Sequence, residues 1–531
     1  MALTERFRGF NVASSLALRA TSDPERPLLI TPSAEHSYAE VDGRSDALAA
    51  ALANLGVEAG DRVALILPAC PEFVVSFFAV AKLGAVAVPL NPRLPPSELQ
   101  YMLRHSEAVC AVTIERAYGL DFLQIFEEIL VRLPELQYLV TVGEEDLWYD
   151  DRIFQYEDLL SAGAGRDYPE IEVDPDKDCF AIVYTSGTTG KPKGVMLSHG
   201  NLVSVAAGTA DALGLRKDDR LVGVSALYHV FGLAPGLLSA TLAGAALILA
   251  DDADAGAVLD MVEAHRATVL YGVPTLFVAE LIEQARAPRD LSSLRLATPA
   301  GAPVSHDLVM SIRERICPMV LVAYSLTEMS STVCVTRPGD TPEQQADTVG
   351  LPLPGTEVKI LERDGEELPE ESVGEIALRG PGVMLGYHRQ PGETAAAFDA
   401  DGYLLTGDLG IVDESGFVHL VGRRKEVIIR AGFNIYPREV ESRLEAHPAV
   451  REAAVVGIAD RLLGEATCAC IVPVEGAIVT SQDIVDWCRE TLAEPKVPDQ
   501  VRFFDSFPRT GTGKVRRIEL ARMCQTAGSP V

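Results

Sequence analysis

The chain has 531 residues, with 48% hydrophobic and 23% charged residues, which are values typical of globular proteins and too many residues for a single core. Its 46 basic and 76 acidic residues give a net charge of −30, which excludes nucleic acid and anionic lipid as partners and requires a local positive pocket for any nucleotide. The nine cysteines show neither a CxxC motif nor zinc-ligand spacing, which favours a reducing, cytoplasmic location.

Helices and strands alternate in the first part of the chain. The pattern predicts a helix over 38–55 closed by Gly56, a strand over 62–67, a helix over 72–83 and a strand over 85–89. This alternation indicates a parallel sheet covered by helices. The first ten residues contain no apolar run of the kind found in secretion signals, so no such signal is expected.

A Gly- and hydroxyl-rich stretch over 184–195 follows an apolar strand predicted over 180–183 and precedes a helix start predicted at 198–201. Glycines allow close backbone approach, hydroxyl and N–H groups can surround an anion, and a lysine supplies a point charge. The stretch predicts a polyphosphate-binding loop formed by Thr185, Ser186, Gly187, Thr188, Thr189, Gly190 and Lys193. It is not a P-loop, because Pro192 stands where that motif has its second glycine. The alternative is a flexible surface turn.

Strands are predicted again over 221–224, 246–249, 268–271, 294–298 and 320–324. The uncharged run over 230–250 is long enough to span a bilayer, but Pro235 and several glycines interrupt it. We expect a buried helix over 237–242, a break at Gly244 and a strand over 245–249, and therefore no membrane span.

From about residue 349 the chain changes to short strands separated by Gly and Pro turns, for example over 357–361 and 375–379. This texture suggests a small β-barrel or meander. A charged connection over 422–425 follows, and the remaining residues have the size of a small separate domain.

A second chemical motif, Tyr324-Ser-Leu-Thr-Glu328, follows an apolar run. A tyrosine ring at a strand end can stack on adenine, Thr327 can donate to a phosphate, and the Glu328 carboxylate suits Mg²⁺, which prefers oxygen ligands. Alone, the motif is compatible with an ordinary strand end beside a helix start.

Together, the stretches over 184–195 and 324–328 closely resemble the acyl-adenylate-forming enzymes, which include acyl- and aryl-CoA synthetases, peptide-synthetase adenylation domains and firefly-type luciferases. The resemblance extends from the region of residue 81 to Lys514. It implies an α/β fold, with a large N-terminal domain over 1–422 made of two αβα lobes plus a small β-barrel. A small, mobile α+β C-terminal domain over 423–531 is implied beside it.

The resemblance also implies the residues of the nucleotide site. Asp408, in the stretch over 406–410, would accept the ribose hydroxyls, and Arg423 would complete that contact. Tyr324 and Thr327 would contact the nucleotide, and Glu328 would hold the metal. Gly301 and Ala302 would leave a flat slot for adenine. Pro303 and Ser325 are further implied contacts of the nucleotide, and the family usually has Gly where Ser325 stands. Taken alone, the stretch over 299–303 is equally well explained as a plain turn.

The acyl site is implied at the stretch over 228–232. His229 or Phe231 would form a wall that moves between states, with His229 gating the pocket rather than transferring a proton. The remaining substrate contacts of the implied pocket are Tyr228, Tyr271, Gly272, Ala300 and Ala323. The stretches over 228–232 and 271–274 contain no Lys or Arg, so we expect an acid with an uncharged aliphatic or aromatic tail.

The C-terminal part resembles the family's mobile domain, with Lys425 at the hinge and Gly432 beside the path of the CoA arm. Lys514 matches the catalytic lysine. The chain has Ala431 where plant coumarate ligases have Lys, and Pro495 where relatives often have Tyr. A CoA contact by the side chain at 431 is therefore not carried over.

The sequence thus predicts an ATP-dependent carboxylic acid–CoA ligase that uses Mg²⁺, first forming acyl-AMP and pyrophosphate, then acyl-CoA and AMP. Adenylation for transfer to a carrier protein or an amine is an alternative, which the lack of a carrier domain after Lys514 disfavours. A luciferase-like oxygenase stays open, and so does association into a homodimer. A catalytically silent ATP-binding or scaffold protein is disfavoured by the presence of Lys193, Glu328, Asp408, Arg423 and Lys514.

Overall fold

The structure is a computed structural model that describes residues 1–145, 151–185, 192–223, 226–249, 254–362, 365–509 and 515–526. It divides into two compact units. The first unit comprises Met1–Glu357 with Leu378–Leu404, and the second comprises Val358–Ala377 with Leu405–Val531. The domain boundary expected after residue 422 stays a prediction.

Seventeen α-helices lie within the described ranges. They are α1 Leu3–Arg6, α2 Val12–Ser22, α3 Tyr38–Leu55, α4 Pro71–Lys82, α5 Pro96–Ser106, α6 Phe122–Ile129, α7 Tyr156–Gly163, α8 His199–Leu213, α9 Ser239–Ala243, α10 Ala255–His265, α11 Pro274–Arg286, α12 His306–Arg315, α13 Pro342–Asp347, α14 Pro391–Ala396, α15 Pro437–Glu445, α16 Ser481–Arg489 and α17 Arg517–Thr526.

The strands of the described ranges are β1 Pro27–Ile30, β2 Glu35–Ser37, β3 Arg62–Ile66, β4 Val86–Pro89, β5 Ala108–Ile114, β6 Arg116–Ala117, β7 Leu120–Asp121, β8 Tyr138–Val142, β9 Ile153–Gln155, β10 Cys179–Thr185, β11 Lys193–Ser198, β12 Arg220–Val222, β13 Ala246–Ile248, β14 Val269–Gly272, β15 Leu296–Pro299, β16 Ala323–Leu326, β17 Ser331–Val335, β18 Leu351–Pro352, β19 Glu357–Leu361, β20 Gly374–Arg379, β21 Gly386–Tyr387, β22 Leu404–Val412, β23 Val418–Arg423, β24 Ile428–Arg430, β25 Phe433–Ile435, β26 Val450–Asp460, β27 Gly464–Pro473 and β28 Gln500–Phe503.

Two largely parallel sheets form the frame of the first unit. One has the order β21-β11-β10-β4-β3-β5-β8-β9 and the other β15-β14-β12-β13-β1-β2. Antiparallel pairing is confined to β11 with its two neighbours in the first sheet and to β2 in the second. The predicted α/β class is confirmed, since strands and covering helices alternate as expected.

Helix caps explain why several helix bounds were predictable. Ser37 begins α3 with a capping box to Glu40, and Gly56 ends it at φ +102°, where a side chain would be strained. Ser198 caps α8 in the same way through Asn201, so the helix start expected at 198–201 is confirmed. By contrast, the strand expected over 320–324 begins only at β16, because Val320 makes an isolated bridge to Ala297.

The described part of the uncharged run, 230–249, contains a buried π-helix, Gly232–Leu238, followed by α9, Gly244 at φ +76° and β13. The helical part starts earlier than predicted. A Cβ at Gly232 would lie 2.3 Å from the Ala226 carbonyl oxygen, so the close approach of the chain requires glycine there. Among the residues that the structure describes, no helix has the length and apolarity needed to cross a membrane.

The second unit contains most of a four-stranded sheet in chain order, β19-β20-β22-β23, as in a meander. Its other sheet has the path β25-β24-β27-β26, and β28 also pairs with β27. Two apolar clusters lie on this sheet. One includes Val440 of α15 and Ile484 of α16, and the other includes Leu520 of α17.

Candidate active site

The ends of β14 and β15 meet the start of β16 in the first unit. Gly272 at the end of β14 pairs with Pro299, and its carbonyl accepts from the Ala300 N–H at 3.0 Å. Ala300 in turn forms a parallel bridge with Ala323 at the start of β16. The structure therefore brings three of the predicted substrate positions together. Ligands of parallel α/β sheets bind at such carboxyl ends.

The predicted adenine slot follows the end of β15. Gly301 has φ +84°, a conformation that favours glycine, and it turns the chain out of β15. Ala302 and Pro303 are exposed, so their small side chains are accessible to a flat ligand. Ser325, where the family usually has glycine, is half-buried and pairs with Thr332 across the β16–β17 hairpin.

Thr327 and Glu328 lie in a 3₁₀ turn, Thr327–Met329, between β16 and β17. The next two residues, Ser330 and Ser331, are both buried and have φ +58° and +119°. The Ser330 hydroxyl donates to the Gly382 carbonyl at 2.9 Å, which helps to hold this reversal. Backbone strain of this kind is characteristic of functional sites.

Tyr387 was not predicted, yet it contacts Glu328 directly. Its hydroxyl donates to Glu328 Oε1 at 2.9 Å, and the Glu328 carbonyl accepts from Met384 N–H at 2.9 Å. Burial, together with the neighbouring Glu328 carboxylate, raises the pKa of Tyr387 well above its usual value, so the phenol stays a neutral donor.

Lys193, at the base of the predicted phosphate-binding loop, contacts the Tyr387 ring. Its Nζ lies 4.8 Å from the centroid of the Tyr387 ring and forms an ion pair with Glu393. Lys193 pairs with Thr185 across the β10–β11 hairpin, so these two predicted residues stand at the base of the loop. The predicted loop residues Ser186, Gly187, Thr188, Thr189 and Gly190 lie outside the described residues. Lys193, Tyr387 and Glu328 thus form a cation–aromatic–carboxylate group.

Two histidines support the strand that leads into the loop. The Tyr184 hydroxyl lies 2.8 Å from His105 Nδ1 and donates to the Met102 carbonyl at 3.2 Å. The rings of His105 and His388 are 5.5 Å apart. Burial lowers the pKa of both histidines, so they are neutral at physiological pH and add no charge beside the loop.

Two aromatic rings of the predicted acyl wall meet. Phe231 and Tyr271 pack edge to face with centroids 5.5 Å apart, and Tyr271 is fully buried. His229 Nδ1 accepts the Phe231 backbone N–H at 3.2 Å, which favours a positioning role for the ring. Tyr228 is half-buried beside them, and burial raises its pKa. The rings that form this wall are aromatic and uncharged, and the Arg93 guanidinium lies close enough to Tyr228 to oppose the rise in its pKa.

In the second unit, the structure brings Asp408 and Arg423 together. They face each other across β22 and β23, with Arg423 Nε 2.9 Å from Asp408 Oδ1. The Asp408 N–H donates to the Thr406 hydroxyl at 3.0 Å, and that hydroxyl donates to the Ile376 carbonyl at 2.7 Å. The ion pair and these backbone-directed bonds hold the carboxylate in one orientation, as recognition of paired hydroxyls requires.

The predicted CoA loop is the tight turn between β24 and β25. Ala431 and Gly432 have φ +50° and +86°, as in a type I′ hairpin turn, and a Cβ at Gly432 would meet open space. Arg430 anchors the hairpin through two bonds to Asp499, at 2.8 and 2.5 Å. Lys425 is exposed in the 3₁₀ turn after β23, and Lys514 lies outside the described residues.

The residues around Glu328 fit a magnesium ion. The carboxylate is a hard oxygen donor, it is partly exposed, and one of its oxygens is already oriented by Tyr387. Mg²⁺ is typically held by one or two carboxylates together with substrate phosphates. When bound, the ion would offset the negative charge of the phosphates.

Comparison with known proteins gives a consistent picture. Residues 16–388 match the model of the AMP-binding enzyme family, and residues 439–514 match the AMP-binding enzyme C-terminal domain. A feruloyl-CoA synthase from Amycolatopsis sp is 36% identical over 487 residues, which cover 92% of this chain and 93% of that protein.

Solved structures agree with these matches. The anthranilate CoA ligase AuaEII in complex with anthranoyl-AMP has a TM-score of 0.89 and 28% identity, with 99% of both chains covered. The O-succinylbenzoate coenzyme A synthetase MenE from Bacillus subtilis, in complex with ATP and magnesium ion, has a TM-score of 0.80 and 32% identity, with 95% of this chain and 98% of that chain covered. The resemblance stated from the motifs is confirmed, and the chain belongs to the AMP-binding enzyme family.

Proposed function

We propose that the protein is an AMP-forming ligase that joins a carboxylic acid with an uncharged tail to coenzyme A. Its homologues are acyl- and aryl-CoA synthetases, and relatives of known structure bind ATP, magnesium ion or an acyl adenylate. The enzyme is accordingly an acid–thiol ligase with ATP, Mg²⁺ and CoA as its small-molecule partners. The identity of the acid and the roles of individual residues are the proposal.

The reaction needs two displacements, because a carboxylate is a poor electrophile. In the first, a carboxylate oxygen attacks the α-phosphorus of ATP and pyrophosphate leaves. In the second, the CoA sulfur, after losing its proton, attacks the acyl carbon and AMP leaves. The protein must hold the reactants in line and stabilise the charge that develops at the α-phosphate.

The group formed by Lys193, Tyr387 and Glu328 is the observation that carries this proposal. In this group a single neutral phenol contacts one cation and the carboxylate that we propose binds the metal, next to the predicted phosphate-binding loop. Lys193 now pairs with Glu393, and we infer that it exchanges this carboxylate for phosphate oxygens when ATP binds. Such an exchange replaces one anionic partner by another and leaves no cation unpaired.

The other predicted residues have complementary roles. Thr327 would donate to the α-phosphate, and Asp408 with Arg423 would bind the ribose. Lys514 would bridge the acyl carboxylate and the α-phosphate in the first half-reaction, stabilising charge that develops in the transition state. Gly432, which has no Cβ to obstruct a passing chain, would border the CoA arm in the second half-reaction.

The neutral aromatic wall supports an uncharged tail on the acid. Phe231 and Tyr271 offer ring edges and faces rather than charge, and the stretches 228–232 and 271–274 contain no basic residue for a second carboxylate. Burying an unpaired carboxylate there would cost several kcal/mol, on the order of the desolvation penalty of an ion.

A panel of acids tests the assignment. Matched pairs of equal length, such as hexanoate and adipate or cinnamate and its ring carboxylate, are incubated with ATP, Mg²⁺ and CoA. Acyl-CoA is identified by mass, and AMP release is measured. In each pair, the acid with the uncharged tail is expected to react at least about tenfold faster than the dicarboxylate, which corresponds to 1.4 kcal/mol. Faster turnover of the dicarboxylates would contradict the substrate class.

We also infer that the enzyme acts in the cytoplasm, where the free cysteines of the described chain would stay reduced. Association into a homodimer is a further proposal, and light scattering of the purified chain measures it directly. A mass equal to one chain at micromolar concentration would exclude a stable dimer.

A further inference from the structure

Three cysteines of the second unit come together, and none of them is assigned to nucleotide, acid or CoA. Cys468 and Cys470 lie on β27 and Cys524 lies on α17. The Sγ atoms of Cys470 and Cys524 are 3.4 Å apart, and all three sulfur atoms lie within 4.8 Å of one another. None of the three residues is more than 2% exposed. We refer to Cys468, Cys470 and Cys524 as the cysteine triad.

The arrangement follows from the geometry of the two elements. Residues two apart on a strand point to the same face, so Cys468 and Cys470 both face α17. Leu520 and Cys524 are four apart on the helix and pack on the same apolar cluster. The sulfur atoms therefore converge in a dry environment, in which Val456 and Phe507 are further neighbours.

Positive charge lies beside the triad. Arg502 of β28 stands opposite Cys470 in the strand register, and its guanidinium interacts electrostatically with Cys468 and Cys524. Arg517, at the start of α17, interacts in the same way with Cys470. Thiolates in an apolar core need such charge compensation.

We propose that the triad binds one soft, thiophilic metal ion of the copper(I) class through three thiolate sulfurs. Thiolates select soft ions over Mg²⁺ or Ca²⁺. Metal–sulfur bonds of about 2.3 Å place three sulfurs around one ion roughly 4 Å apart, within the range spanned by these atoms. Among the described residues, no fourth His, Asp, Glu or Cys joins the group, whereas structural zinc is almost always four-coordinate.

Metal binding would connect β27 to α17, which begins three positions after Lys514. Because the ion binds only when strand and helix are packed, it stabilises the folded second unit by mass action. The proposal is independent of the acid–CoA ligase assignment, since no residue of the triad serves in that reaction.

Anaerobic titration of the reduced, full-length protein tests the site. Copper(I) is supplied from its complex with bathocuproine disulfonate, and transfer to the protein is followed by loss of the complex's colour. We expect one ion per chain to bind. Cys470→Ala, Cys524→Ala and Cys468→Ala should each weaken binding at least about tenfold, while Cys488→Ala, which removes a fully buried cysteine of the other cluster, should not.

Two further readouts decide between outcomes. X-ray absorption of the one-to-one complex should show three sulfur neighbours and no nitrogen, and circular dichroism of the apo variants should match the apo wild type. Binding of the wild type no tighter than that of the Cys470→Ala variant would overturn the proposal. Equal loss in the Cys488→Ala variant, or a preference for zinc in a four-coordinate site, would overturn it as well.

Discussion

Tyr387 links the lysine of the phosphate-binding loop to the carboxylate assigned to the metal. Its ring faces Lys193 Nζ, and its hydroxyl bonds to Glu328 Oε1. One side chain therefore orients both charged groups, although it carries no charge itself. If the assignment is right, removing the hydroxyl alone should affect the metal carboxylate and leave the contact with the lysine in place.

Tyr387→Phe makes that change. We expect the Mg²⁺ concentration needed for half-maximal acyl-AMP formation to rise about three- to tenfold, since a hydrogen bond of this kind contributes about 0.5–1.5 kcal/mol. The KM for the acid should change little. Tyr403→Phe is the matched control, because it removes the 2.7 Å bond from a hydroxyl to Glu357, a residue without a proposed catalytic role. Identical Mg²⁺ curves for both variants would remove Tyr387 from the site.

Substitution of the single residue Asp408 tests the assignment of the ribose site. Asp408→Asn keeps the shape of the side chain but removes its charge, so the KM for ATP should rise about ten- to a hundredfold, as expected for loss of a charge-assisted bond of about 1.5–3 kcal/mol. Titration of acyl-AMP formation with ATP measures the change. In the control Asp413→Asn, also on the β22–β23 hairpin, the KM should stay near that of the wild type. An unchanged KM in Asp408→Asn would exclude the role.

Individual residues also show how much of the candidate site could be predicted from the sequence. Asp408 and Arg423 belong to motifs with short spacing, and the structure places them in direct contact. Tyr387 and Glu393 belong to no local motif, and they meet their partners over sequence separations of 59 and 200 residues. Only the pairing of β21 with β11 brings them to the loop. Such contacts depend on sheet order, which a single sequence does not reveal.

Among the elements, α2 and α8 are joined by a buried histidine. His199 begins α8, accepts the Val12 N–H of α2 at 3.3 Å and stacks on Phe180 at 4.5 Å. Burial lowers its pKa to about 4 from 6.5. Since the folded state disfavours the protonated ring, the free energy of unfolding is highest above pH 6.5 and falls as the pH decreases from 6.5 to 4.

Two and a half pKa units correspond to about 3 kcal/mol of stability lost across that window. Denaturant unfolding at several pH values measures this dependence. In His199→Phe the ring cannot be protonated, so the curve should be flatter between pH 6.5 and 4. His306→Gln, a half-exposed histidine, should behave as the wild type. Equal slopes in all three proteins would contradict the burial argument.

The packing of α7 on α3 gives a second prediction about elements. A Cβ at Gly163 would lie 1.9 Å from the Ala47 carbonyl oxygen, whereas a Cβ at Gly43 would meet nothing within 4 Å. Gly163→Ala should lower the free energy of unfolding by about 1–3 kcal/mol through overpacking. Gly43→Ala, in the interior of α3, should raise it by about 0.5–1 kcal/mol, because alanine favours the helix. Thermal unfolding of each variant measures the change in stability. A Gly163→Ala variant that is more stable than the wild type would contradict the close contact.

Elements with caps and clear periodicity could be predicted closely, as the agreement over α3 shows. The strand β11 could not, because Lys193 to Ser198 lies between the Gly-rich loop and a helix and has no turn signal of its own. The π-helix Gly232–Leu238 also escaped prediction, since its backbone pattern follows from tight packing around Gly232 and Pro235 rather than from propensity.

The whole molecule has a net charge of −30, and this overall charge repels the three anionic or acidic reactants assigned to it. The positive groups that bind them are therefore local. In the described chain, the two cations proposed to contact phosphate and ribose, Lys193 and Arg423, each pair with a carboxylate. The two units are each organised around their own sheets.

The central claim is that one chain first makes an acyl adenylate and then transfers its acyl group to CoA. Single-turnover mixing separates these steps. Wild-type protein receives an accepted acid and ATP without CoA, and the products are identified by mass after quenching. CoA is added in a second mix. A parallel arm uses Lys514→Ala, which should reduce acyl-AMP formation on the order of 10²–10³-fold but largely spare conversion of supplied acyl-AMP.

We predict that the wild type accumulates one acyl-AMP per chain with one pyrophosphate, and that added CoA converts it to acyl-CoA and AMP in equal amounts. Formation of ADP, or of an acyl-AMP that never yields a thioester when CoA is added, would contradict the account.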